Sequence, residues 1–91
     1  MIKQIEARVT GRVQMVMYRD FAERKARGLG IVGTVQNIDD GSVRVIAQGD
    51  EQTLKKYIDK LNGGSVLSKV QNVEVVYNSD LDNFQSFEII Y

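Results

Sequence analysis

The order in which the hydrophobic pattern changes period is the feature that most constrains the fold of this chain. Strands bury every second side chain, whereas helices on a sheet bury side chains three and four residues apart. The pattern predicts, in order, a strand at 3–9, a helix from 18 or 19 to 29, strands at 31–38 and 42–48, a helix in "DEQTLKKYIDKLNGG", and strands in "SKVQNVEVVY" and "FQSFEIIY".

This order is that of the ferredoxin-like split βαβ arrangement, with a short strand added at the C-terminal end. Right-handed crossovers place both helices on one face of an antiparallel sheet and leave the other face to water. We therefore predict an α+β, ferredoxin-like βαββαβ sandwich that forms a single domain over residues 1–91. The turn signal Asp39-Asp40-Gly41 joins the second and third strands as a hairpin. The fold hosts enzymes, RNA-binding modules and sensors, so a function has to be argued from a site.

The composition restricts the chemistry of such a site. The chain has no His and no Cys, which excludes thiol nucleophiles, Ser-His-Asp triads and ordinary zinc sites. Lys plus Arg and Asp plus Glu both number 12, so no bulk field favours nucleic acid or an anionic membrane as a partner. The start, "MIKQIEARV", lacks the apolar core of a secretion signal. Oxygen ligands could still hold Mg²⁺, but turn formation and helix capping account for Asp39, Asp40 and Asp50 better than a metal does. We expect a cytoplasmic protein with no metal and no cofactor.

A candidate anion site lies where the first strand gives way to the first helix, in "GRVQMVMYR" (Gly11 to Arg19). The first N–H groups of a helix have no intrahelical acceptor, and the helix dipole adds about half a positive charge there. Such a loop binds phosphate, and Arg19 can donate a fork of hydrogen bonds to phosphate oxygens. The alternative is structural, because junctions of this kind are common and an Arg in a first helical turn is usually only solvated.

The same residues carry a family resemblance. "GRVQMVMYR" resembles the acylphosphatase signature Gly-x-Val-Gln-Gly-Val-x-aromatic-Arg, and "GTVQNIDDGSV" is similar to the family's second block, Gly-x-Val-x-Asn-x-x-Asp-Gly-x-Val. The resemblance implies a small monomer that hydrolyses acyl phosphates without a metal. It implies that Arg19 binds the phosphoryl group and that Asn37 orients the attacking water. The implied phosphate cradle consists of the backbone at Gln14, Met15, Val16, Met17, Tyr18 and Arg19.

The chain departs from the family pattern at two positions. Met15 replaces the usual glycine, and Met17 stands where small or aromatic residues are usual. If Met15 needs a positive φ, its Cβ costs roughly 1–2 kcal/mol, or the loop rearranges. One alternative function is therefore a phosphate-binding domain with weak catalysis.

Structural roles for the motif residues, and two functions that involve no catalysis, also stay open. Asn37 can satisfy backbone groups of the hairpin, Gln14 can tie down the loop, and Tyr18 and Phe21 have the spacing of core residues. An RNA-binding module would need exposed aromatic side chains and a basic face, which "SVRVIAQ" does not offer. A small-molecule sensor domain is the second function of this kind.

Overall fold

The computed structural model describes residues 1–91 and contains five strands and two helices in the predicted order. Their bounds are β1 Ile2–Arg12, α1 Tyr18–Gly28, β2 Val32–Asn37, β3 Val43–Asp50, α2 Glu51–Gly63, β4 Lys69–Asn78 and β5 Phe87–Ile90. The largest difference from the prediction is β1, which extends to both sides of 3–9. It pairs with β3 on one side and β4 on the other, and these partners hold it in strand form beyond the alternating residues.

The sheet has the strand order β4-β1-β3-β2-β5. Strands β1 to β4 pair antiparallel, as predicted, whereas β5 joins the edge beside β2 in parallel orientation. The segment between β4 and β5 crosses the sheet to reach that edge. On the way, Asp82 fixes this segment to β1 and β3. Its backbone N–H donates to Gln4 Oε1 at 2.8 Å, and its carbonyl accepts from Gln48 Nε2 at 2.6 Å.

Both helices pack on one face of the sheet around a single core. Two buried tyrosines join them: the Tyr18 hydroxyl donates to the Leu61 carbonyl at 2.8 Å, and the Tyr57 hydroxyl donates to the Ala22 carbonyl at 2.9 Å. Burial raises the pKa of both hydroxyl groups, so they remain protonated donors. Tyr18 and Phe21 are core residues, as their spacing indicated.

The opposite face of the sheet carries charged side chains paired with one another. Arg8 contacts both Asp40 and Glu74, and Arg44 contacts Glu6. The central strands β1 and β3 contain no aromatic residue that could stack on a base. On this face, cationic side chains are matched by acidic ones, and the two central strands present no aromatic ring. Neither helix is long and apolar enough to cross a membrane.

Candidate active site

Near the end of β1, just before the loop to α1, lies Gly11, which no other residue can replace without rearrangement. Gly11 lies at the register shift between β1 and β4 and has a φ of 119°. A Cβ there would lie 2.1 Å from the carbonyl oxygen of Lys69. Glycine therefore lets β1 pass close to the β4 backbone while the chain turns away towards α1.

The loop itself has an alternating backbone conformation. Met15 and Met17 both have a φ of 60°, whereas Gln14, Val16 and Tyr18 do not have positive φ values. Alternation of this kind turns successive N–H groups towards a common centre, which forms an anion-binding concavity. The positive φ that was considered for Met15 is thus present, and Met17 has one as well. In both residues the Cβ atom makes this left-handed conformation strained.

The N–H groups of this loop are free of protein acceptors. None of the backbone N–H groups of residues 14–20 donates a hydrogen bond to another backbone group, and Met17 caps α1 without a side-chain hydrogen bond. The donors of residues 18–20 are the unpaired first N–H groups that every α-helix has, and those of residues 14–17 extend them to seven consecutive free donors, whereas most backbone donors in a protein are paired. An anion placed at their centre would satisfy them.

Gln14 fixes the loop against the hairpin of β2 and β3. Its Nε2 donates to the carbonyl of Ile38 at 2.7 Å and to that of Ser42 at 2.9 Å. The hairpin turn is closed by Asp40, whose Oδ1 accepts from both the backbone N–H and the hydroxyl of Ser42. The hydrogen bonds from Ser42 and Arg8 hold the pKa of the Asp40 carboxyl well below its usual range, so it stays ionised in mild acid.

The side chain of Asn37, at the end of β2, forms none of these side-chain hydrogen bonds of the hairpin. Its Oδ1 is buried and accepts no hydrogen bond from the protein. A buried amide oxygen without a donor costs about 1–3 kcal/mol, so it needs an explanation other than the turn. The side-chain hydrogen bonds of the hairpin come from Gln14 and Asp40 instead, and the role of Asn37 stays a prediction.

Arg19 lies in the first turn of α1 and forms no ion pair with an acidic side chain. Its guanidinium carbon lies 4.6 Å from the centre of the Tyr91 ring, which supports the side chain while leaving its N–H groups to a ligand. Arg19 and Asn37 line one cleft of about 260 Å³. The other residues lining this cleft are Val13, Met15, Met17, Tyr18, Asp20, Ile89 and Tyr91.

The structure thus brings most of the predicted site residues together, with two exceptions. The side chain of Gln14 points towards the hairpin and that of Val16 towards the core, so only the N–H groups of these two residues belong to the cradle. Sequence reasoning missed Tyr91. The β2–β5 register pairs Gln36 with Ile90, which places Tyr91 next to Asn37. This pairing joins residues far apart in sequence, so the local hydrophobic pattern does not indicate it.

Comparison with known proteins assigns the chain to a family. A family model described as Acylphosphatase matches residues 5–89. The chain belongs to the acylphosphatase family. The acylphosphatase of Archaeoglobus fulgidus is 42% identical over 87 residues, which cover 96% of this chain and 97% of that protein. That of Clostridium acetobutylicum is 37% identical over 91 residues and 100% of both chains.

Solved structures agree with the acylphosphatase assignment. The crystal structure of acylphosphatase from Bacillus subtilis matches with a TM-score of 0.95 at 35% identity and covers 100% of both chains. The ferredoxin-like α+β fold, the family resemblance and the expectation of an acylphosphatase enzyme are confirmed. The roles of individual residues in this acylphosphatase remain predictions.

We expect Gln14→Ala to lower both stability and turnover, because it removes the two hydrogen bonds that join the cradle to the hairpin carrying Asn37. The free energy of unfolding should fall by about 1–2 kcal/mol, measured by urea titration. Gln71→Ala is the matched control, since Gln71 is exposed on β4. Equal stability and turnover in the two variants would show that Gln14 does not hold the loop.

Proposed function

We propose that this chain hydrolyses the carboxyl–phosphate bond of small acyl phosphates to a carboxylate and inorganic phosphate, without a metal or a cofactor. One observation carries the proposal: the loop and first turn of α1 provide the free N–H groups of residues 14–20, and the cleft beside them is also lined by the unpaired side chains of Arg19 and Asn37. Donors for a phosphoryl group and a neutral group for water are thereby brought together.

Arg19 and the loop N–H groups are the proposed phosphate site. Backbone donors at a helix N-terminus and the guanidinium fork both match a phosphoryl group, whose charge is shared over three equatorial oxygens. Most enzymatic phosphoryl transfer depends on positioning and on stabilising that charge. A loop held by Gln14 and a guanidinium held over Tyr91 are fixed before substrate binds, so little is lost in ordering them.

Asn37 is the proposed water-positioning residue. Its amide has both a donor and an acceptor, so it can hold a water without adding a charge that repels phosphate. The water oxygen bonds to phosphorus, the bond from phosphorus to the acyl oxygen breaks, and the electron pair leaves on the carboxylate. Of the two water protons, one stays on the oxygen that is now bonded to phosphorus, and the other passes to another phosphate oxygen or to solvent. A leaving carboxylate has a conjugate acid of pKa ~4, so departure needs no general acid such as His.

The experiment that tests this proposal is phosphate release from acetyl phosphate and benzoyl phosphate by the purified chain with EDTA present. We expect turnover of both compounds. Absence of turnover of both compounds, or turnover that appears only after Mg²⁺ is added, would contradict the proposal.

The strained methionines favour one second candidate, a phosphate-binding domain with weak catalysis. Met15 and Met17 hold positive φ values that glycine would adopt without strain. Against weak catalysis, the cradle N–H groups are free with both methionines in place.

Met15→Gly separates the two candidates. The Met15 side chain is 99% exposed, so its removal costs no packing and relieves the left-handed strain. Part of that gain is offset by the greater freedom of glycine in the unfolded chain, and we expect a net rise of about 0.5–1 kcal/mol in the free energy of unfolding. Turnover should change less than about threefold. A rise above tenfold would identify weak catalysis caused by Met15.

We further propose that residues 1–91 act as one domain, as a monomer in the cytoplasm. The support for a single domain is a core of 17 buried residues to which both helices and four of the five strands contribute. Light scattering should give a mass near the 10.3 kDa of one chain. A mass of twice that value would contradict the monomer.

A further inference from the structure

A second groove, of about 440 Å³, runs along α1 beside the phosphate cleft. Its walls are α1 and the loop from Gly64 to Leu67, and its apolar lining comes from Val16, Met17, Phe21, Val66 and Leu67. We call it the α1 groove. Met17 and Asp20 line both the phosphate cleft and the α1 groove, so the two spaces meet at the first turn of α1.

Three of the five apolar side chains of the α1 groove are unusually open to solvent. Val66 is 99% exposed, Met17 70% and Leu67 66%. Single exposed apolar residues need no explanation, but several that line one groove next to a reaction site indicate a surface that an apolar ligand covers.

The charges along the α1 groove are ordered. Asp20 lies at the end shared with the phosphate cleft, and Arg24 and Lys25 line the groove one turn further along α1. Neither cation forms an ion pair, whereas the neighbouring Arg27 is paired with Glu23. At 1.5 Å per residue, Arg24 lies roughly 10 Å along the helix from Met17. The loop N–H groups and Arg19 offset Asp20 for a phosphoryl group inside the cleft, whereas a second anionic group just outside it meets Asp20 alone and is repelled. Arg24 and Lys25 attract such a group further along α1.

We propose that the α1 groove binds the acyl group of the substrate, and that this chain prefers acyl phosphates whose acyl group is an apolar chain long enough to bring a terminal carboxylate to Arg24 and Lys25. The inference rests on the proposed hydrolysis of acyl phosphates and adds a substrate class to it. The phosphate cleft holds the phosphoryl group, Met17, Val66 and Leu67 contact the chain, and Arg24 with Lys25 binds the terminal carboxylate. Asp20 disfavours a short dicarboxylic acyl group, whose carboxylate would end beside it.

Two matched substrate series test this inference. The neutral series is acetyl, butyryl and octanoyl phosphate, and the acidic series is succinyl and suberyl monophosphate, with phosphate release measured in EDTA. At about twofold per methylene in an open groove, kcat/KM should rise roughly 16-fold over the four methylenes from butyryl to octanoyl phosphate. Succinyl monophosphate should fall below butyryl phosphate, and suberyl monophosphate should at least equal octanoyl phosphate.

Two exposed substitutions then assign the effects to the α1 groove. Arg24→Gln should lower kcat/KM for suberyl monophosphate about threefold to fivefold and leave acetyl and octanoyl phosphate unchanged, since exposed ion pairs are weak. Leu67→Ser should reduce the advantage of octanoyl over butyryl phosphate. Lys56→Gln, on α2, and Leu81→Ser, after β4, are controls of the same chemistry, because both side chains are exposed outside the α1 groove.

The outcomes are distinguishable. If acetyl phosphate is not hydrolysed, the proposed function is wrong, and the inference about the acyl group falls with it. If acetyl phosphate is hydrolysed but kcat/KM does not depend on chain length, and Arg24→Gln does not alter the suberyl value, the proposed function stands and the inference is overturned. The α1 groove would then serve a ligand other than the substrate.

Discussion

Replacing Arg19 with alanine should lower kcat/KM for acetyl phosphate by roughly 10³-fold. The variant removes a pair of charge-assisted hydrogen bonds to the phosphoryl group, which are worth about 1.5–3 kcal/mol each, and a factor of ten in rate corresponds to about 1.4 kcal/mol. Arg19 makes no ion pair in the protein, and its stacking on Tyr91 is the contact that stability would lose. We therefore expect the free energy of unfolding, measured by urea titration, to change by less than about 1 kcal/mol.

Two further variants separate the charge of Arg19 from its geometry. Arg19→Lys keeps a positive charge but loses the planar fork, so it should recover only part of the activity, to about 10²-fold below the parent. Arg24→Ala is the matched control, because Arg24 is a second unpaired arginine on α1 that does not line the phosphate cleft. If Arg19→Ala keeps more than a tenth of the parent activity, Arg19 does not bind the phosphoryl group.

Asn37→Ala should lower kcat by about 10²-fold and leave phosphate binding unchanged. Loss of one positioning group typically costs 10²–10³ in rate, because the nucleophile is then held less precisely. The inhibition constant of inorganic phosphate, measured against benzoyl phosphate, is the second readout. It should move less than twofold, since Asn37 holds water and Arg19 with the loop holds phosphate.

Asn37→Asp is the informative companion to Asn37→Ala. It keeps the size of the side chain and adds a negative charge beside the phosphoryl group, so it should raise the inhibition constant of phosphate as well as lower kcat. A kcat for Asn37→Ala within threefold of the parent would remove Asn37 from the mechanism. An inhibition constant that rises in Asn37→Ala would make it a phosphate ligand instead.

The stability of Asn37→Ala carries a separate expectation. Because Asn37 Oδ1 accepts no hydrogen bond from the protein, removing the side chain breaks no internal hydrogen bond at that oxygen, and the free energy of unfolding should change by less than about 1 kcal/mol. A loss of more than about 1 kcal/mol in urea titration would indicate a structural role for Asn37.

Local pattern was sufficient to predict the elements of the fold. The alternation in β1 and the apolar stripe of α1 each report which side faces the core, and the turn at Asp39-Asp40-Gly41 reports the hairpin. The core positions of Tyr18 and Phe21 follow from the same spacing. The interpretation that Gln14 ties down the loop was also correct, because a polar side chain in a tight loop has few partners other than nearby carbonyl groups.

Long-range strand pairing and backbone dihedral angles could not be predicted from the local sequence pattern. The parallel pairing of β5 with β2 depends on where residues 79–86 cross the sheet, so the contact of Tyr91 with Arg19 had no local signal. The left-handed conformation of Met15 and Met17 opposes their intrinsic preference, and only the surrounding structure imposes it. The α1 groove joins residues far apart in sequence, from Val16 to Leu67.

In the proposed mechanism, water attacks phosphorus in a cleft that needs no metal. The most direct measurement is hydrolysis of benzoyl phosphate by the parent chain in ¹⁸O-labelled water with EDTA present, followed by mass analysis of both products. We predict one ¹⁸O atom in inorganic phosphate and none in benzoate. Label in benzoate would show attack at the acyl carbon, and it would contradict the roles proposed for Arg19 and Asn37.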